Sequence, residues 1–256
     1  MDAAIAGGQL VNYYQPQVSL ATGDVLGVET LARWRHPADG LVFPDQFIGV
    51  AETHGIIRSL TRVVIAGALA QAANFKKETG SALSVAVNVS MDDLGALDFV
   101  DYVAGQAEAA GVPAAQVTLE VTESRLMRNF RVSFEVLTRL RLKRFRLSID
   151  DFGTGHSTLA QLRDIPFDEL KIDRGFVHGA GADKTLMAIF DASRLLSRQL
   201  NMALVAEGVE DRADWDFLRR SACGAAQGYF IARPMPAESL RGWIRDWKAR
   251  ALFSAA

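Results

Sequence analysis

Short apolar runs alternate with segments of helical periodicity along most of this chain. Residues 10–20 (LVNYYQPQVSL) and 25–34 are typical of two strands, and the tight turn at 21–24 predicts that they form a hairpin. Further along, apolar positions recur at helical spacing over 44–52 and 60–77. The alternation continues to the end of the chain, with predicted strands at 83–88, 117–121, 146–150, 169–172, 203–206 and 225–230 and helices at 99–110, 130–143, 157–162, 184–199, 211–220 and 237–247.

This order of elements predicts an α/β fold. Strands that alternate with helices pair in parallel through crossover connections. Both hairpin strands bring the total to eight, and 256 residues is the usual size of an α/β barrel. We therefore expect a modified (β/α)8 TIM-type barrel with an antiparallel first strand over residues 9–247. Residues 1–8 are expected to be the remnant of a preceding helix or linker, and 248–256 a C-terminal tail.

Composition narrows the classes of function. A net charge of −2 and a pI near 6.1 give no general attraction to a nucleic acid polymer or a membrane surface, so an anionic ligand must meet local charge or a metal. The single cysteine, Cys223, excludes an intramolecular disulfide and fits a reducing compartment. The sequence has no signal-peptide pattern and no apolar run long enough to cross a bilayer. We expect a cytoplasmic domain without membrane contact.

Two adjacent carboxylates stand out in residues 147–155 (LSIDDFGTG). Because neighbouring strand residues face opposite sides, both can serve one site only if Asp150 ends the strand and Asp151 sits in the turn. The two carboxylates repel each other unless a cation or a proton lies between them. A pair of divalent metals about 3.5–4 Å apart, bridged by one aspartate, suits this arrangement. The alternative is a helix cap followed by a turn.

Polar side chains also mark the ends of the other predicted strands. The residues concerned are Glu29, Asn88, Glu120, Asp150, Asp151, Lys171, Glu207 and Gln227. In a barrel these ends converge on one mouth, and unpaired charges in apolar strands are costly, so the pattern favours the metal hypothesis. The candidate ligands are oxygen donors, which select Mg or Mn over zinc; they are Glu29, Asn88, Glu120, Asp150, Asp151 and Glu207. Asp150 is the expected bridge between two divalent cations.

Other residues have candidate roles with open alternatives. Lys171 could act as a base on the attacking water, or form a salt bridge to Asp173 or to a ligating carboxylate. Arg33 shares a strand face with Glu29 and could grip a phosphate, although a surface ion pair is the alternative. Glu123 could anchor the loop after Asp151, through Thr154 or through a backbone amide.

With these residues assembled, the sequence resembles the EAL domain family of cyclic di-GMP phosphodiesterases, from Gln9 to about Leu240. The resemblance is carried by the motifs YYQPQV, ETLARWRHP, VNVS, LEVTES, IDDFGTGHSTL, ELKIDRGFV, VAEGVE and AQGYFIARPMP. It implies a modified barrel with an antiparallel first strand, and hydrolysis of cyclic di-GMP to linear pGpG with two Mg or Mn ions. It also implies a homodimer and, in the full-length protein, a regulatory sensor or receiver domain.

The resemblance implies roles for individual residues as well. Catalytic or metal roles fall to Glu29, Asn88, Glu120, Asp150, Asp151, Lys171 and Glu207. Loop control falls to Glu123 and Thr154, and substrate contacts to Gln15, Arg33, Asp173 and Gln227. Three positions depart from the family pattern, namely Thr30 in place of alanine, His156 in place of tyrosine and Thr158 in place of serine.

Two functions from different classes remain in view. The first is a metal-dependent phosphodiesterase, and the second is a catalytically silent receptor that binds cyclic di-GMP. Silent members of the family lose metal ligands or the loop motif, whereas this sequence keeps them, which favours the enzyme. A purely structural barrel would leave the ring of carboxylates without a reason.

Overall fold

Eight strands close into a barrel in a computed structural model of the chain, which describes residues 2–79, 83–123, 130–154, 162 and 164–248. The strands are β1 Leu10–Ser19, β2 Val25–His36, β3 Gly40–Val42, β4 Ser84–Asn88, β5 Val117–Thr122, β6 Arg146–Phe152, β7 Glu169–Ile172, β8 Ala203–Ala206, β9 Ala225–Ala226 and β10 Met235–Pro236. The short β3 and β10 lie outside the ring, paired with β2 and β1.

The pairing of the strands confirms the predicted fold. The first strand, β1, runs antiparallel to both of its barrel neighbours, β2 and β9. The other pairs around the ring, from β2–β4 to β8–β9, are parallel. Because parallel strands point the same way, the C-terminal ends of β2 and β4–β9 all reach one mouth of the barrel.

Helices follow most of the strands. They are α1 Asp2–Ala6, α2 Pro44–Thr53, α3 Ile57–Thr79, α4 Met91–Leu94, α5 Asp98–Ala110, α6 Phe130–Leu142, α7 Arg174–Val177, α8 Lys184–Gln199, α9 Arg212–Arg220 and α10 Ala237–Lys248. Local chemistry sets several of their ends: Asp183 accepts the Thr185 and Leu186 N–H groups at the start of α8, and Gly111 ends α5 in the left-handed region at φ 66°. No helix in the described part of the chain is long and apolar enough to span a bilayer.

Two sequence predictions about strands were wrong in detail. The strand predicted at 225–230 ends at Ala226, because the next residues fold around Val209 instead of extending the ladder: Val209 donates its N–H to the Gln227 carbonyl at 3.1 Å and accepts from Phe230 at 2.9 Å. The strand predicted to end at Asp150 continues through Phe152. Periodicity also did not find β3, β10, α4 and α7, which are too short to show it, whereas α1 lies within residues 1–8, where the remnant of a helix or linker was expected.

A bulge in β6 replaces the turn predicted at Asp151. The register of β6 against β7 shifts between Ile149 and Phe152, and Asp151 has a left-handed backbone at φ 54°. A bulge adds one residue to a strand and so reverses the alternation of its side chains. Both aspartates can therefore face the same mouth while remaining in the strand. The predicted helix at 157–162 lies outside the described residues, apart from Leu162, and the domain bounds at residues 9 and 247 stay predictions.

The lumen beneath the mouth is lined mainly by small residues, with one buried carboxylate among them. Two positions before the polar strand ends lie Gly27, Ala86, Thr118, Ser148, Glu169, Val205 and Ala225, and Ser148 Oγ donates to Glu169 Oε1 at 3.0 Å. Gly27 is required by a close approach of strands, because an added Cβ would lie 2.7 Å from the Ser84 carbonyl oxygen. The larger apolar residues of the barrel, such as Val28, Leu119 and Ile149, pack into the core outside it.

Candidate metal centre

Five carboxylates meet at the C-terminal mouth of the barrel in two groups that share Asp150. Glu29, Glu120 and Asp150 form one group, and Asp150, Asp151 and Glu207 form the other, with one oxygen of each residue within 4.8 Å of the others in its group. They come from β2, β5 and β6 and from the residue after β8. The structure thus brings together the acidic residues that the sequence placed at strand ends.

Amide side chains hold Glu29 from both sides. Asn88 Nδ2 donates to Glu29 Oε1 at 2.9 Å, and Gln227 Nε2 donates to Glu29 Oε2. Gln227 Nε2 also lies 2.9 Å from Gln15 Oε1, and Gln15 in turn donates to the Ala232 carbonyl at 3.0 Å. The two glutamines predicted to touch substrate therefore also orient a carboxylate of the first group.

Lys171 lies at the centre of these carboxylates and is fully buried. Its Nζ is 2.6 Å from Glu207 Oε1, 3.0 Å from Glu120 Oε1, 3.3 Å from Asp150 Oδ1 and 3.6 Å from Glu29 Oε2. Burial by itself lowers the pKa of this ammonium, but the four carboxylates together raise it well above its usual value. Of the two roles weighed for Lys171, these contacts favour the ion pair with ligating carboxylates.

The donor set fits a hard cation. Glu120 is completely buried, and apart from the Lys171 ion pair neither of its oxygens accepts a hydrogen bond from a described residue. Burial, with smaller contributions from Glu29, Asp150 and Glu207, raises the pKa of Glu120 well above its usual value although Lys171 opposes the shift. Burial and the neighbouring Asp150 likewise raise the pKa of Asp151 to about 6. Carboxylates grouped in this way could hold a divalent cation, because the cation would remove their mutual repulsion.

A small network fixes the segment after Asp151. Asp151 donates its N–H to Asp150 Oδ1 at 3.0 Å, and Thr154 Oγ1 donates to the Asp151 carbonyl at 2.8 Å. Glu123 Oε2 accepts the Gly153 N–H at 2.8 Å, so the anchor is a backbone amide rather than the Thr154 side chain. Gly153 has φ 101°, a conformation that favours glycine. The departures at His156 and Thr158 lie outside the described residues.

Arg33 and Asp173 have more local partners than predicted. The Arg33 guanidinium lies 4.9 Å from the Phe43 ring centroid and 5.5 Å from that of Tyr13, and Nη1 donates to the Ala32 carbonyl at 2.8 Å. Arg33 is only 6% exposed, which argues against an ordinary surface ion pair. Asp173 accepts the Gly175 N–H at 2.8 Å and so caps α7.

A cleft of about 340 Å³ opens over the carboxylates. Its walls include three residues that the sequence analysis did not single out, Arg174, Glu210 and Tyr229. Arg174 Nη2 lies 2.7 Å from Glu210 Oε1, and Tyr229 is 54% exposed, with the Arg233 guanidinium 4.3 Å from its ring centroid. Their closeness in sequence to predicted site residues could have identified two of them: Arg174 directly follows the LKID segment, and Tyr229 is two residues after Gln227.

The fold and the site define an α/β-barrel protein with an oxygen-rich acidic cluster at the C-terminal mouth that could hold metal ions. The particular family follows from comparison with known proteins: the family model described as "EAL domain" matches residues 1–234, and the chain belongs to that family. The resemblance inferred from the sequence motifs is thereby confirmed.

Relatives and solved structures agree with this assignment. The chain is 41% identical to "Cyclic di-GMP phosphodiesterase NbdA" of Pseudomonas aeruginosa over 96% of its own length and 31% of the relative's. It is 38% identical to "Oxygen sensor protein DosP" of Escherichia coli, over 94% of this chain and 30% of that protein, so it spans about a third of these relatives. The structure titled "PaMucR Phosphodiesterase, c-di-GMP complex" is 40% identical, with a TM-score of 0.88 over 93% of this chain and 97% of that one. The cAMP- and cyclic-di-GMP-bound form of the EAL enzyme Bd1971 is 28% identical, with a TM-score of 0.88 over 95% of this chain and 66% of that chain.

Proposed function

We propose that this chain is a phosphodiesterase domain that hydrolyses cyclic di-GMP to linear 5′-pGpG with two divalent cations, Mg or Mn. The observation that carries the proposal is Asp150, which belongs to both acidic groups and so has the position of a bridging ligand. Relatives named as cyclic di-GMP phosphodiesterases and a related domain solved with c-di-GMP support the choice of substrate.

Charge balance supports two cations. The five carboxylates carry five negative charges when ionised, and Lys171, the ammonium among them, cancels one. Two divalent cations would balance the remaining four charges. A single divalent cation would leave two negative charges beside an anionic phosphodiester, which opposes substrate binding.

The residues of the site would have two roles, binding the cations and positioning the ligands. Glu29, Asn88 and Glu120 would hold one cation, Asp151 and Glu207 the other, and Asp150 both. When bound, the two cations supply Lewis-acid stabilisation of the phosphoryl group and promote ionisation of the attacking water. Lys171 holds four of these carboxylates at fixed positions, and Gln227 with Asn88 fixes the rotamer of Glu29.

Gln15 and Gln227, which line the cleft, would bind and orient the dinucleotide together with Arg33 and Asp173, which lie outside its lining. Arg33 supplies a buried cation for a phosphate, and its stacking between aromatic rings limits the side-chain entropy lost on binding. Gln15, Gln227 and Asp173 supply polar contacts. Glu123 and Thr154 hold the backbone on either side of Gly153, and so keep Asp151 turned toward the mouth.

The test is direct hydrolysis. The purified chain is incubated with cyclic di-GMP and Mg or Mn, the nucleotides are resolved by chromatography, and binding is measured in parallel by calorimetry. We expect linear pGpG that is absent when a chelator is added. Binding without pGpG would overturn the enzyme and support the silent receptor, and neither binding nor product would overturn both functions. The homodimer, the regulatory domain and the cytoplasmic location stay predictions.

A further inference from the structure

A second cavity, of about 270 Å³, lies between β2 and the helices α2 and α3, and Leu31 lines both this cavity and the cleft over the carboxylates. Apolar side chains from these elements supply much of its wall, among them Ala32, Ile48, Leu60 and Val64. Three threonines, Thr30, Thr61 and Thr122, and Asn88 also line it. Because Thr30 and Glu29 are neighbours in a strand, Thr30 faces away from the metal centre.

Two hydroxyl groups in this cavity have no hydrogen-bond partner in the described part of the chain. Thr30 is 2% exposed, and neither its Oγ1 nor that of Thr122 has a hydrogen-bond partner among the described residues. Thr61, in the same wall, differs because its Oγ1 donates to the Ile57 carbonyl at 3.1 Å. A buried hydroxyl without a partner costs about 1–3 kcal/mol, so a bound molecule that pairs with it gains affinity. Thr30 is also the position at which the family pattern has alanine.

We propose that this cavity binds a compact, mostly apolar molecule that carries one hydroxyl group, of about the size of a substituted phenol. Its ring fills the apolar space, and its hydroxyl pairs with Thr30 or Thr122. An apolar cavity of about 150 Å³ is sufficient for benzene. The cavity here leaves room for a ring with a polar group or a further substituent. Binding requires neither a metal nor a nucleotide, so it goes beyond the proposed function.

An occupant would also touch the metal centre through Asn88. This residue lines the cavity and donates to Glu29 Oε1 at 2.9 Å. A molecule packed against Asn88 restricts its rotamers, and so changes the affinity of the centre for Mg or Mn. A consequence for hydrolysis rests on the proposed function, whereas binding and its effect on metal affinity do not.

The experiment titrates the full chain with phenol and, separately, with toluene, while NMR follows the methyl groups of Ile48, Leu60 and Val64. Both probes should shift these methyls. Thr30→Val keeps the side-chain shape and removes the hydroxyl. It should weaken the affinity for phenol about five-fold, the equivalent of one hydrogen bond, and leave the affinity for toluene unchanged. Thr61→Val is the matched control, because the Thr61 hydroxyl already donates to the Ile57 carbonyl. This variant should leave the affinity for phenol unchanged. Ala32→Leu should abolish binding of both probes.

Several results would overturn the proposal. One is the absence of methyl shifts at millimolar phenol. Another is an equal loss of affinity for phenol and for toluene in Thr30→Val, and a third is unchanged binding of both probes in Ala32→Leu. Ordered water alone on Thr30 and Thr122 in crystals soaked with phenol would do the same. If Thr30→Val does not fold, as judged by circular dichroism, Thr122→Val together with Thr30→Ala provides the same comparison.

Discussion

Lys171 Nζ lies 3.0 Å from Glu120 Oε1, and both side chains are fully buried in the barrel. Removing Lys171 would leave Glu120 buried without its countercharge, and the loss of one partner of a buried ion pair costs about 3–5 kcal/mol. Lys171 also contacts carboxylates of both acidic groups, so one buried side chain of the barrel interior holds the candidate metal ligands together. The residues proposed to bind metal are therefore part of what the fold must stabilise.

Asp150→Asn should abolish most of the turnover while the fold is kept. The substitution removes the charge shared by the two acidic groups, but its side-chain oxygen can still accept the Asp151 N–H. Replacing residues that only support a metal ligand costs about 10–100-fold, so we expect a loss of at least about 100-fold in the rate of pGpG formation. Asp98→Asn, which alters an exposed aspartate paired with Arg58 and Arg62, is the control. A rate near that of the parent would refute the bridging role.

Mg or Mn should raise the thermal stability of the chain. The cations relieve repulsion among carboxylates whose charges Lys171 balances only in part. At about 100 times the dissociation constant, binding adds about 2.7 kcal/mol to the free energy of unfolding. Melting temperatures are compared in Mg, in Mn and in chelator at equal ionic strength, with Asp150→Asn expected to show a smaller increase. Equal melting temperatures in all solutions would contradict a metal centre here.

Glu123→Ala should reduce activity more than Glu123→Gln. The carboxylate accepts the Gly153 N–H, and alanine removes that acceptor, whereas glutamine keeps an oxygen in its place. Loss of the bond costs about 1–3 kcal/mol and loosens the backbone that turns Asp151 toward the mouth, so we expect about a ten-fold loss or more for alanine. Rates are measured together with amide hydrogen exchange at Gly153. Alanine and glutamine variants with equal rates and equal exchange would exclude this anchoring role.

His178 should stabilise the chain in a pH-dependent way. The hydrogen bond that His178 Nδ1 donates to Asp214 Oδ2, at 2.9 Å, raises the pKa of His178 above its usual 6.5. Burial by itself raises the pKa of Asp214, but hydrogen bonds from His178 and from two backbone amides lower it below the usual 3.8. Because the histidine pKa is raised, the contribution of this ion pair to the free energy of unfolding is complete below about pH 6.5 and is lost as the pH rises through the folded-state pKa. The Asp214 carboxylate must stay ionised throughout.

The measurement compares the melting temperatures of the parent and His178→Gln across this range. Their difference should be largest near about pH 5.5 and should shrink by about pH 9. His54→Gln is the control, because His54 bonds the Val50 backbone carbonyl instead of a carboxylate. A His178→Gln difference that stays constant with pH would show that the ion pair does not contribute.

The sequence by itself determined the barrel and the composition of its mouth. Strand and helix periodicities are local, and their alternation requires parallel pairing, which brings the C-terminal strand ends together. Glu29, Asn88, Glu120, Asp150 and Glu207 could therefore be placed near one another before any distance was known. The antiparallel hairpin at the start followed from the turn between residues 20 and 25 in the same way.

Only the tertiary structure decided how these side chains pair. The bulge at Asp151, the contacts of Lys171 with four carboxylates, the hydrogen bond from Gln227 to Glu29 and the cavity at Thr30 join residues far apart in the chain. Such contacts depend on strand register, on barrel closure and on rotamers selected by packing. No local pattern encodes those quantities, because each is set by the free energy of the whole packed barrel.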